Sequence, residues 1–146
     1  MKQKWVYMYL DIAKRISQES HAVRLKVGAV FVSLDGVMST GINGLPAGGS
    51  NVCEYETNEF DSNTFQYKFA TRPEVSHAEE AVFAKLMLQG VSTKNGSMFI
   101  THTPCIHCAK IMVGAGIKYV FYSNDYRSND GVEWLKKNGV IVEKVS

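Results

Sequence analysis

Two short segments of the 146-residue chain hold the residue types that metal-assisted chemistry requires: His77-Ala78-Glu79 and Pro104-Cys105-Ile106-His107-Cys108. One imidazole and two thiolates suit zinc. Three protein ligands leave a fourth tetrahedral position for water, the arrangement of a catalytic rather than a structural ion. Glu79, two residues beyond the histidine, has the reach to touch that water without being a ligand, and hydrolytic chemistry needs a group that carries a proton to the leaving atom. Cys105 and Cys108 alone would also suit a redox pair of thioredoxin type, a reading that leaves His77 and Glu79 without a purpose. A purely structural zinc needs a fourth protein ligand, for which His107 or Cys53 is available. His107, however, lies off the face that the two cysteines share.

The fold has to bring these segments together, because 28 residues separate His77 from Cys105. Helical periodicity is expected over 77–89, closed by Gly90, and over 105–115. Strands are expected over 97–101, 117–122 and 140–145, with a helix over 131–138 stopped by Gly139, so the order from residue 97 is β-α-β-α-β. That order implies parallel strands covered by helices. Upstream, 27–32 and 37–42 flank Asp35-Gly36 and read as an antiparallel hairpin. The expectation is one domain over residues 1–146, an α/β fold with a three-layer α/β/α sandwich on a mixed five-stranded sheet. In such sheets helix N-termini gather at the carboxyl ends of strands, which is where His77, Cys105 and Cys108 would converge.

The N-terminal segment reads as an amphipathic helix with its apolar stripe at Trp5, Met8, Tyr9, Ile12 and Ile16, and Met8 and Met112 are assigned to the core. From Asn43 to about Val75 no period is visible, so a long loop is expected, and loops of that length are usually functional. Asn43 precedes a glycine, a pair that favours left-handed backbone. Cys53 reads as a small buried hydrophobe.

Composition narrows the function classes. Hydrophobic residues make up 45% and charged residues 21% of the chain, which excludes disorder and fibrous repeats. Sixteen Lys and Arg against fourteen Asp and Glu give a net charge of +2. That balance lacks the footprint of a polynucleotide binder but leaves room for a small anionic substrate. Three cysteines are too few for a disulfide framework and suit a reducing compartment. Without an unbroken apolar run at the N-terminus or elsewhere, neither a signal peptide nor a membrane span is expected, and the location expected is cytoplasmic.

His-x-Glu followed by Pro-Cys-x-x-Cys is the signature of zinc-dependent nucleobase deaminases, a match of pattern rather than a deduction from geometry. The chain resembles the cytidine and deoxycytidylate deaminase superfamily over nearly its whole length, with VGAVFV, GINGLPAGG, HAE, TPCIHCAKIMVGAGIKYVFY and the terminal strand in family order. Within that superfamily, GINGLPAGGSNVCEY and the long interval from Asn43 to His77 resemble deoxycytidylate (dCMP) deaminases, including those of bacteriophages. The resemblance implies Zn2+ on His77, Cys105 and Cys108, and Glu79 as the proton carrier in hydrolysis of dCMP to dUMP and ammonia, which supplies dUMP for thymidylate synthesis. Thr103 with main-chain groups near Ala78 and Pro104 would hold the pyrimidine edge, and Asn43, Tyr126 and Arg127 the sugar and phosphate.

The resemblance further implies a homohexamer, in the host cytoplasm if phage-encoded. It also implies an effector site for dCTP with Mg2+, which activates, and dTTP, which inhibits. The glycine-rich residues Gly44, Ala47, Gly48 and Gly49 would form that site, with Arg24 and Lys26 adding positive charge. Two positions depart from the family pattern: Ala81 stands where an Asn is usual, and Ile42 where relatives often carry Tyr. Other readings are a deaminase of another cytosine nucleoside or nucleotide or of single-stranded nucleic acid, and a catalytically silent zinc or nucleotide-binding relative. Glu79 separates the last of these, since a silent relative has no reason to keep it.

Overall fold

The computed structural model describes residues 1–46 and 48–145, so Ala47, assigned above to the effector site, lies outside the described residues. Helix α1 (Gln3–Ser17) lays Val6, Leu10, Ala13 and Ser17 against the sheet. This corrects the expected stripe: Trp5 and Met8 are 43% and 36% exposed. Apolar residues occur on both sides of this helix, and the strand beneath it makes the choice. The main chain at Gly28, which opens β1 (Gly28–Val32), passes so near that a Cβ there would collide with the Ala13 carbonyl. Only small residues, here Ala13 and Ser17, can lie over the strand at that point.

After β1 come β2 (Met38–Ile42), β3 (Glu54–Asp61), β4 (Gln66–Thr71), α2 (Ala78–Gln89), β5 (Ser97–His102), α3 (Ile106–Gly114), β6 (Tyr119–Asn124), α4 (Asp130–Lys137) and β7 (Ile141–Lys144). The main sheet has the order β2-β1-β5-β6-β7. β1 is antiparallel to both neighbours, while β5, β6 and β7 run parallel, giving the mixed sheet that the sequence implies. The β1–β2 turn uses Gly36 at φ +88°, a conformation that glycine reaches without steric cost. Val82 and Leu86 of α2, Met112 of α3 and Leu135 of α4 pack with Phe31, Met98 and Ile100 on one face of the sheet. Val6 and Leu10 of α1 meet Val30, Phe99 and Phe121 on the other, which completes three layers.

The interval expected to be a loop instead contains the antiparallel ribbon of β3 and β4, separate from the main sheet. Ten of its fourteen positions are exposed and only Glu54 is buried. The register also shifts between Glu56 and Phe60. Without a buried face there is no apolar alternation to read, and a bulge breaks whatever alternation remains.

Gly131, near the start of α4, abuts the strand-to-helix connection that carries Cys105. A Cβ at this position would collide with the Pro104 carbonyl and come within 2.9 Å of the Cys105 carbonyl carbon. Gly131→Ala is therefore expected to lower stability by about 1–3 kcal/mol through overpacking, measured by urea unfolding. An unchanged midpoint would mean that α4 shifts freely away from the connection.

Candidate metal centre and active site

His77 and Cys105 occupy the same local position in two different elements: each is the residue just before the first turn of its helix, α2 and α3 respectively. Cys108 lies three residues into the second segment, on the same side. The imidazole Nδ1 of His77 stands 3.5 Å from Cys105 Sγ and 3.4 Å from Cys108 Sγ. A tetrahedral ion with bonds of about 2.3 Å to sulfur and 2.0–2.1 Å to nitrogen requires N···S edges of about 3.5–3.6 Å. The donor set therefore fits zinc in both chemistry and spacing.

Without an ion, the same atoms share protons. Cys105 is held down to about 3 by the hydrogen bond from Cys108 and by His77, while His77 is raised to about 9, chiefly by its hydrogen bond to Cys105. Cys108 is pushed up by acting as the hydrogen donor to Cys105 and by burial. Glu79 is 4% exposed, and its Oε2 lies 3.5 Å from Cys108 Sγ. Burial raises this carboxyl above the ordinary range. A carboxyl so placed, beside the metal donors but not among them, can take up and return a proton.

The histidine is held by its backbone. Glu80 Oε1 accepts from the His77 N–H at 2.8 Å, half of a capping box. One residue earlier, Ser76 and Gly44 exchange both main-chain hydrogen bonds, at 2.8 and 3.1 Å. Glu80 and Ser76 are not among the expected site residues. The three-residue spacing from His77 to Glu80 carries the capping signal, hidden because histidine is not a usual capping residue.

The family model described as the cytidine and deoxycytidylate deaminase zinc-binding region matches residues 3–124. The chain belongs to the cytidine and deoxycytidylate deaminase family. This deaminase is 32% identical over 151 residues to the deoxycytidylate deaminase of Enterobacteria phage T4, with 82% of this chain and 78% of the phage protein covered. It is 30% identical over 142 residues to ComE operon protein 2 of Bacillus subtilis, with 97% and 71% covered. Among solved structures, the dCMP deaminase of cyanophage S-TIM5 in complex with dCMP and dUMP superposes with a TM-score of 0.80 at 36% identity, covering 99% of each chain.

Other expected site residues of the deaminase have protein partners of their own. Asn43 Oδ1 accepts from the Val27 N–H and the Ser20 hydroxyl, both at 2.8 Å, and its Nδ2 donates to the Leu25 carbonyl at 2.7 Å. It thus closes the loop between α1 and β1. Its backbone is not left-handed, because the Gly44–Ser76 bridge keeps the segment extended. Asn43→Ala is expected to cost about 2–3 kcal/mol by stranding the Val27 and Leu25 groups, again read by urea unfolding. A loss within experimental error would show that the side chain is spare for a ligand.

The Thr103 hydroxyl donates to the Asn124 carbonyl at 3.2 Å and accepts from the Tyr126 N–H at 3.1 Å, so it joins the two connections that follow β5 and β6. Tyr126 meets His102 edge to face at 6.1 Å, and the Arg127 guanidinium lies 4.9 Å from the Tyr126 ring. Ala78 and Pro104 are buried beside the metal donors. His107 is exposed and outside the donor cluster, and Cys53 is buried with Ala22 and Val75, as expected of a small hydrophobe.

In the glycine-rich segment only Gly48 of the described residues takes a positive φ, +83°. The Gly44 and Gly49 amides are already used, by Ser76 and Pro46. Nearby, Arg24 reaches Thr71 Oγ1 and Lys26 the Gln18 carbonyl, both at 3.4 Å. Glu54, absent from the expected residues, is buried and accepts from the Val23 and Arg24 N–H groups at 2.8 and 3.2 Å. It ties the base of the ribbon to that same loop.

Proposed function

We propose that this deaminase converts dCMP and water to dUMP and ammonia, with His77, Cys105 and Cys108 holding zinc and Glu79 carrying the proton. The observation that carries this reading is the convergence of three zinc donors within 4.8 Å of one another, with the buried Glu79 carboxyl against one of them. Zinc held there supplies Lewis acidity, which makes a water at the site acidic near neutral pH. Glu79 takes one proton from the attacking water and delivers it to N3 of the pyrimidine, then takes the second proton from the oxygen added at C4 and delivers it to the departing amine, so that C4=O forms as the C4–N bond breaks. A carboxyl raised by burial is suited to both halves of that task.

The choice of dCMP rests on the likeness to the phage T4 and cyanophage S-TIM5 proteins and on a balanced surface charge that disfavours a polynucleotide. Thr103 with main-chain groups at Ala78 and Pro104 would border the base, and Tyr126 and Arg127 the sugar and phosphate, with Asn43 shaping that wall from behind. A panel of cytidine, deoxycytidine, CMP, dCMP and dCTP, followed by loss of cytosine absorbance, tests the substrate. The highest kcat/KM is expected for dCMP. A higher value for any other member would replace it.

The single domain would carry the whole activity, as a homohexamer in the cytoplasm, and no helix among the described residues is long and apolar enough to cross a membrane. Control by dCTP with Mg2+ and by dTTP would act at Gly44, Gly48 and Gly49 with Arg24 and Lys26. Support for that site is the positive φ of Gly48 and the link from Gly44 through Ser76 to His77. Sigmoidal dCMP dependence, made hyperbolic by dCTP and suppressed by dTTP, is the expected behaviour. Indifference to both triphosphates would remove the regulatory assignment and leave the deaminase intact.

A further inference from the structure

The β3–β4 ribbon carries an aromatic face that the domain itself does not cover. Its strands pair with each other and with no strand of the main sheet. None of its aromatic side chains enters an apolar cluster. Phe60 and Tyr67 meet edge to face with ring centroids 5.3 Å apart. Phe69 follows Tyr67 on the same face, across from Glu56, and Phe65 at the turn is 81% exposed. A two-stranded hairpin is marginal in water by itself, and its two unpaired edges invite association. A ribbon this exposed leaves its aromatic face open to a second surface.

Charge indicates which surface. With Glu54 buried at its base, the ribbon turns Glu56, Glu59 and Asp61 outward against a single cation, Lys68, which is already paired with Glu59 at 2.9 Å. Helix α1 has the opposite balance, with Lys4, Lys14 and Arg15 against Asp11, Arg15 being paired with Glu19 at 2.8 Å, and it leaves Trp5, Tyr7 and Met8 exposed. Tyr7 and Lys14 also line a groove of about 550 Å³ that continues over Leu10 to Val145. Aromatic side chains with complementary charge are the usual composition of protein interfaces.

We propose that the ribbon is an arm that docks its acidic, aromatic face on the basic, aromatic outer surface of α1 in a second copy of the chain. The proposal rests on the homo-oligomer part of the functional reading and is independent of the substrate. It also gives assembly a path to the site, since Glu54 at the arm's base holds the loop that Asn43 closes.

Charge reversal in two separate variants tests it. Wild type, the arm variant Glu56→Lys with Glu59→Lys, and the helix variant Lys4→Glu with Lys14→Glu are compared by light scattering at matched micromolar concentration, with circular dichroism as the folding check. Wild type is expected to be oligomeric and each variant to dissociate more than tenfold more readily. An equimolar mixture of the two variants is expected to reassemble, because every arm then meets a helix of opposite charge on another chain. If the arm variant fails to fold, Tyr67→Ser with Phe69→Ser replaces it and is expected to dissociate. Variants that assemble like wild type, or a mixture that stays dissociated, would overturn the arm-to-helix contact. A monomeric wild type would overturn the oligomer reading with it, whereas dissociation from any starting oligomer number supports the arm alone.

Discussion

Replacing Glu79 by Gln is expected to lower kcat by about 10²–10⁴-fold, the usual span for loss of a positioned proton carrier. The amide has almost the same shape and fills the same place beside Cys108, whose Sγ lies 3.5 Å from Oε2. What it cannot do is hold a proton and give it back. Zinc content should therefore stay at one per chain, and KM should change little, because a group used only along the reaction path contributes nothing to the ground state. Steady-state kinetics paired with metal analysis on the same preparation makes the separation. Turnover within tenfold of wild type would end the assignment of Glu79 as the proton carrier.

Loss of a donor has the opposite signature. His77→Ala, Cys105→Ala or Cys108→Ala should each abolish both activity and stoichiometric zinc, since two donors cannot complete the tetrahedral set that three begin. Chelation should lower the wild-type Tm and leave these variants unmoved, because a ligand that binds only the folded chain stabilises it by mass action, about 4 kcal/mol at a thousandfold excess over Kd. The pH dependence has a definite sign. Loading must displace the proton that the Cys105 hydrogen bond holds on His77 up to about pH 9, and the one that Cys105 and burial keep on Cys108. Apparent zinc affinity should thus fall as pH falls below about 9, by about tenfold per pH unit for each proton released. A slope of one proton instead of two would mean that only one of these residues is a donor, and affinity flat from pH 6 to 9 that neither is.

How much of this was legible in the residues depends on how each position earns its place. The β-α-β-α-β half announces itself through glycines that stop helices and through strands that are buried on both faces, as Met98 to Ile100 are. The donors were legible because metal chemistry restricts residue type and spacing together. The orientation of α1 was not, since the deciding contact is the bare main chain of Gly28, which leaves no mark on the helix's own periodicity. The ribbon escaped notice because exposed strands with a bulge have no period to show. The structural partners of Asn43 left no signal either, since Ser20, Leu25 and Val27 are spread along a loop with no motif of its own.

The antiparallel pairing of β1 with β5 has a kinetic side. It joins parts of the chain as distant as Gly28 and Thr101, 73 residues apart, with the ribbon and α2 in between. Closing a loop of that size is slow to find but cheap to enlarge, since each doubling of length adds only about 0.6 kcal/mol. The arm can therefore lengthen or shorten with little thermodynamic consequence. The parallel half, made of adjacent β-α-β units, has no such wait and is expected to form first. Cys105 and Cys108 belong to that early half, and His77 is delivered only when the long loop closes. The metal donors are thus completed by the last long-range event in folding, so zinc uptake on refolding should follow the slowest phase and not the first collapse.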